Sequence, residues 1–208
     1  MENTSGLTPN TPIRIEMMST NRVLLAFLLV LSLFEPACAQ LTEPVLVPFV
    51  PTPLEVVDRM LEFGAVKKGD IVYDLGSGDG RVVIRAAKQY GVNGIGIEMD
   101  SGLVETARAE AKRERVDHLV EFRREDALKA DISAATVVTL YMLPSFNKQL
   151  RPVLEKQLKP GARIVAHDYP IDGWEPVNWE EMPLIDTRPQ VAPHKHVLYL
   201  YEWRPIKK

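Results

Sequence analysis

The sequence predicts an α/β chain: a doubly wound, mostly parallel sheet closed by a C-terminal antiparallel hairpin. Three observations carry that expectation. Short apolar runs alternate with helical segments in βαβα order from Asp70 to His167, which implies a parallel sheet covered on both faces. A glycine turn, Gly76 to Gly80, follows the first of those runs. The last two strand-like stretches, Met182 to Thr187 and His196 to Trp203, have no full helix between them and read as the hairpin.

In chain order, Thr52 reads as the cap of a helix that begins at Pro53, carries Glu55 as its third residue and stops at Gly64, the arrangement of a capping box. Val57, Met60 and Leu61 share one face of it, so it packs on something. Asp70 to Leu75 is a buried strand and Arg81 to Tyr90 a helix ended by Gly91. Gly94 to Glu98 is the second strand, and Asp100 or Ser101 caps a helix to about Arg115. Leu119 to Phe122, Thr136 to Leu143 and Ala162 to His167 complete the strands, with Ser145 to Leu158 a helix between the last two.

The chain has 208 residues, is 46% hydrophobic and 25% charged, and carries a formal net charge of −3. Those fractions exclude a disordered, collagen-like or multi-span membrane protein. No basic field exists to hold a polyanion, so nucleic acid is not an expected partner. The single cysteine excludes a disulfide framework or a thiolate zinc site.

Residues 1–39 read as an N-terminal extension with a secretory signal peptide, and residues 40–208 as one domain. Arg22 precedes an apolar run from Val23 to Phe34 broken only by Ser32, then Pro36 and Ala37-Cys38-Ala39 ahead of Gln40. About twelve residues make roughly 18 Å of helix, too short to span a ~30 Å hydrocarbon core. A basic flank, a short apolar segment and an Ala-x-Ala site are the three regions of a cleaved leader. Export to the periplasm or outside is therefore expected, with a cytoplasmic protein as the alternative if the start codon is misassigned. Glu35 and Pro36 do not suit lipidation of Cys38.

The chemistry concentrates in Asp74-Leu75-Gly76-Ser77-Gly78-Asp79-Gly80-Arg81. Glycines there allow positive φ and close approach of a ligand to the main chain, and the following helix start offers N–H groups to an anion. A dinucleotide fingerprint places its third glycine on what is Arg81 here, and Asp74 would repel a pyrophosphate. Asp74 suits an ammonium group, with the turn amides of Gly76, Ser77, Gly78 and Gly80 on a carboxylate. Glu98, ending the second strand, suits both ribose hydroxyls. Asp126 and Ala127 follow the third strand, where an acid can accept from an adenine amino group or simply cap a turn; Met99 can cover the ring. S-adenosylmethionine satisfies all of these. Arg81 reads as a salt-bridging residue.

At these residues the sequence resembles class I S-adenosylmethionine-dependent methyltransferases, and the resemblance implies their Rossmann-like fold. Pro48-Phe49-Val50-Pro51-Thr52-Pro53, the glycine motif, Glu98 and the Asp168 to Pro176 stretch with Trp174 are similar to a compact group of protein lysine methyltransferases. That group includes archaeal broad-specificity enzymes and those acting on the c subunit of ATP synthase. The likeness runs from about Val47 to Trp203. It implies that the lead-in segment covers the cofactor, with Phe49 and Thr52 beside the methionine moiety, although many relatives have Tyr at the position of Phe49. It implies a protein lysine acceptor, with a small-molecule acceptor next in line. A nucleoside-binding module without turnover, or a nicotinamide oxidoreductase, is the reading from a different class.

Methyl transfer from a sulfonium needs alignment and exclusion of water rather than an enzyme nucleophile. Tyr141 and Asp168, at the ends of the fourth and fifth strands, are the candidates to face the acceptor, Tyr141 competing with plain packing. His167 reads as a core histidine. His194 and His196 fall in the terminal hairpin with no cluster of ligands expected near them, so no metal is expected. Tyr141-Met142-Leu143-Pro144 departs from the Asn/Asp-Pro-Pro-Tyr loop of many amide and nucleobase methyltransferases.

Overall fold

The apolar stretch Ile71–Leu75 forms β1, an interior strand of a seven-stranded sheet, because its side chains are wanted on both faces. Val72 goes under helices on one side, and Tyr73 and Leu75 join the core on the other. A computed structural model of the chain describes residues 49–183 and 195–205. The predicted leader, His194 and the Leu184–Thr187 part of the predicted strand lie outside them.

After α1 (Leu54–Phe63) and β1 come α2 (Arg81–Tyr90), β2 (Asn93–Glu98), α3 (Ser101–Arg113), β3 (Val120–Arg124) and β4 (Val137–Leu140). Then follow α4 (Pro144–Gln157), β5 (Arg163–His167), β6 (Asn178–Met182) and β7 (His196–Glu202). The strand order is β3-β2-β1-β4-β5-β7-β6. β1 to β5 run parallel, and β7 pairs antiparallel with both β5 and β6. The expected parallel sheet and terminal hairpin are both present. No helix among the described residues is long and apolar enough to cross a membrane.

Two layers of helices close the sheet. Val57 and Leu61 of α1, Val82, Val83 and Ala86 of α2 and Val104 and Ala107 of α3 meet Val72, Phe122 and Val137. On the opposite face Leu150 and Leu154 of α4 meet Leu75, Ile97, Leu140 and Ile164. The remaining face of α1 sits on β5 and β7 through Val56, Met60 and Phe63 against Val165 and Leu198. Burying each of these side chains contributes about 1.5–3 kcal/mol, so α1 is a structural part of the sheet's cover.

Three local expectations need correction. Thr52 does not cap α1: Pro53 occupies the cap position, no side-chain cap bond forms, and the helix begins at Leu54. Thr52 is instead buried, its hydroxyl drawn to a histidine 115 residues away. The fourth strand ends at Leu140 rather than Leu143, because its ladders with β1 and β5 both end there, opposite Leu75 and Ala166, and the chain then leaves the sheet to start α4 at Pro144. The sixth strand is Asn178–Met182, ahead of the predicted Met182 to Thr187, because its pairing with β7 sets the register Met182 opposite His196. Asp100, of the two candidates, caps α3 by accepting from Leu103 N–H at 3.0 Å.

Candidate functional site

β1 has β2 on one side and β4 on the other. The chain order reverses at that point, which opens a crevice beyond the carboxyl ends of β1 and β4. The turn Gly76 to Gly80 occupies it. Gly76, Gly78 and Gly80 have φ of +81°, +53° and +78°, a conformation that costs any other residue about 1–2 kcal/mol. Gly80 is also the cap position of α2.

The turn amides are not available in the way the sequence suggests. Gly76 and Ser77 N–H both donate to Ile97 C=O at 2.9 and 3.0 Å, and Gly80 N–H donates to Ser77 C=O at 2.9 Å. Gly78 N–H donates to Glu98 Oε2 at 3.0 Å. These bonds fasten the turn to the end of β2 and fix the Glu98 carboxylate, whose other oxygen accepts from Asp100 N–H at 2.9 Å. The Ser77 hydroxyl is buried without a hydrogen-bond partner among the described residues, filling space that the missing side chain of Gly96 leaves. Ser77 therefore belongs to the wall of the crevice.

Asp74 is the most perturbed acid of the crevice. Its carboxylate is buried and accepts from the Thr139 hydroxyl at 2.6 Å, the two residues being opposite each other across β1 and β4. Burial pushes the Asp74 carboxyl up, the Thr139 hydroxyl pulls it down and the charges of Glu98 and Asp79 push it up again, for a net rise to about 7. An incoming cation stabilises the ionised form, so the pocket suits a positively charged group at this point. Asp79 is paired with Arg81 at 2.6 Å, as expected of a salt-bridging Arg81.

The lead-in segment lies against the same turn. A side chain at Gly78 would run into the Phe49 ring, and one at Gly76 would meet Met142 Sδ at 2.6 Å. Arg81 Nη1 donates to Thr52 C=O at 2.6 Å and ties that segment to the first turn of α2. Met142 is a residue that sequence reasoning misses, because a methionine after a strand carries no chemical signal. Met99 is 57% exposed at the end of β2, beside the crevice.

Asp126 closes the turn after β3: Oδ1 accepts from Leu128 N–H at 3.0 Å and Oδ2 lies 3.3 Å from Lys129 Nζ. The Ala127 side chain is buried in the core with Ile97 and Leu140. Trp174 packs, its ring stacked on Trp203 and its N–H donating to Glu155 at 3.1 Å.

Tyr141 leaves β4 with its ring 4.0 Å from that of His167 and 6.2 Å from that of Tyr169. Asp168 is tied to β7, its Oδ1 accepting from Val197 N–H at 3.0 Å and its N–H donating to Val197 C=O at 2.7 Å. The expectation that no ligand cluster gathers near His196 is overturned, because the β5–β7 pairing brings His167, Asp168 and His196 together.

A buried carboxylate, a left-handed glycine turn and a second acid thus meet at the carboxyl ends of β1 and β2. The ANTKMT methyltransferase domain matches residues 74–178. The chain is 46% identical over 156 residues to a protein-lysine N-methyltransferase of Saccharolobus islandicus, covering 74% of this chain and 92% of that one. It is 35% identical over 132 residues to the human lysine N-methyltransferase named for the c subunit of ATP synthase, covering 64% of this chain and 56% of the relative's length. Among solved structures, an RNA methyltransferase from Salinibacter ruber in complex with S-adenosyl-L-homocysteine is 48% identical. It has a TM-score of 0.67 and covers 76% of this chain and 96% of that one.

Proposed function

The chain belongs to the ANTKMT methyltransferase domain family of S-adenosylmethionine-dependent enzymes, and from that premise we propose that it methylates the side-chain amine of a protein lysine. The observation that carries the acceptor is the 46% identity to an archaeal protein-lysine N-methyltransferase over 92% of that protein's length. The donor supplies an electrophilic methyl group on a sulfonium. In this reading Asp74 holds the donor's ammonium group, Glu98 its ribose hydroxyls, and Asp126 and Met99 lie toward the adenine. Gly76, Gly78 and Gly80 let the backbone come close, and Phe49 and Thr52 close over the methionine end.

The enzyme's work is alignment. In-line displacement needs the acceptor nitrogen about 3–3.5 Å from the methyl carbon with water excluded. A lysine ammonium must lose its proton first, which costs about 4–5 kcal/mol at pH 7. An apolar, aromatic acceptor channel lowers that cost by disfavouring the charged form. Tyr141, at the end of β4 beside the crevice, is positioned to line it. Asp168, after β5, is the second residue proposed to face the acceptor, its Oδ2 lying 3.4 Å from Nε2 of His167, whose ring the Tyr141 ring meets.

The name of the Salinibacter relative favours RNA as a second reading, and the net charge of −3 argues against a polyanion. Labelled S-adenosylmethionine offered with lysine peptides and with RNA transcripts separates the two. Incorporation into peptide that disappears when lysine is replaced by arginine supports the proposal; incorporation into RNA alone ends it. Export of the chain is a further proposal from the leader, tested by whether the mature N-terminus is Gln40.

A further inference from the structure

β5 and β7 bring three donor atoms to one point. His167 Nε2 and His196 Nδ1 are 2.9 Å apart and share one hydrogen-bonded proton, which a cation bound between them displaces to solvent. Asp168 Oδ2 lies 3.4 Å from the first and 3.7 Å from the second. Donors bound at about 2.0–2.1 Å in a tetrahedral zinc site lie about 3.3 Å from one another, and the observed edges bracket that value. We propose that His167, Asp168 and His196 form a binding site for a divalent transition cation, with zinc the ion that fits it best.

Strand pairing sets where each donor stands, in addition to the contacts the three make with one another. His167 is opposite Leu198 in the β5–β7 ladder, and His196 is opposite Met182 in the β6–β7 ladder. Asp168 adopts φ +60°, a backbone state that costs a residue with a side chain about 1–3 kcal/mol. In that state its Oδ1 is anchored by Val197 N–H, and Oδ2 is presented to the imidazoles. The second nitrogen of His167 has Thr52 Oγ1 at 3.5 Å, the outer-layer partner that orients a metal-ligating imidazole.

Donor chemistry selects the ion. Two imidazoles and one carboxylate suit zinc and its neighbours, whereas calcium and magnesium need an oxygen cage. His167 and His196 are buried, and Asp168 is 12% exposed at its side chain, leaving the approach on the carboxylate side. Three protein ligands leave a fourth position for water, as in zinc sites that stay open. With the Tyr141 ring 4.0 Å from that of His167, an ion here also fixes the imidazole on which the acceptor-side tyrosine rests.

Cobalt titration of the full-length, chelator-treated protein tests the site, since four-coordinate cobalt shows strong visible d–d bands. The expected result is saturation at one ion per chain, with zinc abolishing the bands. His167→Gln and His196→Gln each remove them, and Asp168→Asn weakens affinity at least tenfold. Circular dichroism establishes that the variants fold, and the wild-type titration decides even if one does not. Absence of bands in the wild type together with no retained zinc overturns the proposal, as does unchanged binding by a folded His196→Gln protein.

Discussion

The Thr139 hydroxyl donates to the Asp74 carboxylate at 2.6 Å, and both residues are buried between paired strands at the floor of the crevice. Among the described residues that bond is the contact that favours the anion where burial opposes it. Asp74→Asn keeps the acceptor oxygen for Thr139 and removes the charge. Isothermal titration should then find S-adenosylhomocysteine binding weakened about 100-fold, the loss of a charge-assisted contact of about 2–3 kcal/mol. Affinity unchanged within a factor of three would remove Asp74 from the ammonium site.

The pH dependence follows from the same carboxyl. Its pKa is raised to about 7, so below that pH the folded protein holds a proton that an ammonium ligand must displace. Binding of S-adenosylhomocysteine should tighten about tenfold between pH 6 and pH 8 and level off above. Stability of the ligand-free protein runs the other way. Between the ordinary aspartate value near 4 and about 7 the folded state binds the extra proton, so stability falls as pH rises through that window. Asp74→Asn should flatten both profiles.

Two glycines with similar backbones make an internal control. Gly78 and Gly91 have φ of +53° and +62°, so alanine at either should cost about 1–2 kcal/mol in thermal or denaturant unfolding. At Gly91 the new side chain meets nothing within 4 Å, whereas at Gly78 it meets the Phe49 ring. Donor affinity should therefore fall in Gly78→Ala and stay unchanged in Gly91→Ala. Equal effects on affinity would show that Phe49 has no part in closing the crevice.

Arg163 secures the foot of the sheet. Its guanidinium donates to Gly64 and Ala65 C=O at 2.7 and 2.5 Å and to the buried Asp70 carboxylate at 2.5 Å. Burial pushes the Asp70 carboxyl up, but Arg163, the Thr136 hydroxyl and the Lys67 N–H outweigh it and hold the carboxyl below its ordinary value. Arg163→Ala leaves that carboxylate unpaired and should cost about 3 kcal/mol in urea unfolding. In the wild type the same contribution disappears as acidification takes Asp70 through its lowered pKa.

Local pattern carried the architecture. Short strand-forming runs of four to six residues interleaved with amphipathic helices specify a parallel sheet with two covered faces, and glycines at 76, 78 and 80 specify a turn that only they adopt without strain. Asp74 and Glu98 were legible because they stand at or next to the carboxyl ends of two successive parallel strands, and adjacent parallel strands bring those ends together beside the turn. Local pattern also misled. Thr-Pro-x-Glu reads as a capping box wherever it occurs, yet Arg81 and His167 take the oxygens of Thr52. Likewise, any glycine turn offers amides on paper, and here β2 takes those of Gly76, Ser77 and Gly78 while the turn itself takes that of Gly80.

By itself the sequence determined the α/β class, the strand at whose end the crevice lies and the two acids beside it, because hydrophobic period and glycine placement act over a few residues. Only the tertiary structure decided that Thr139 braces Asp74, that Met142 and Phe49 close over the glycine turn, and that His167, Asp168 and His196 converge. Thr139 stands 65 positions from Asp74, and His196 stands 29 from His167. Strand register and helix docking set such contacts through the burial of whole faces, and no short stretch of chain encodes which side chain will stand opposite which.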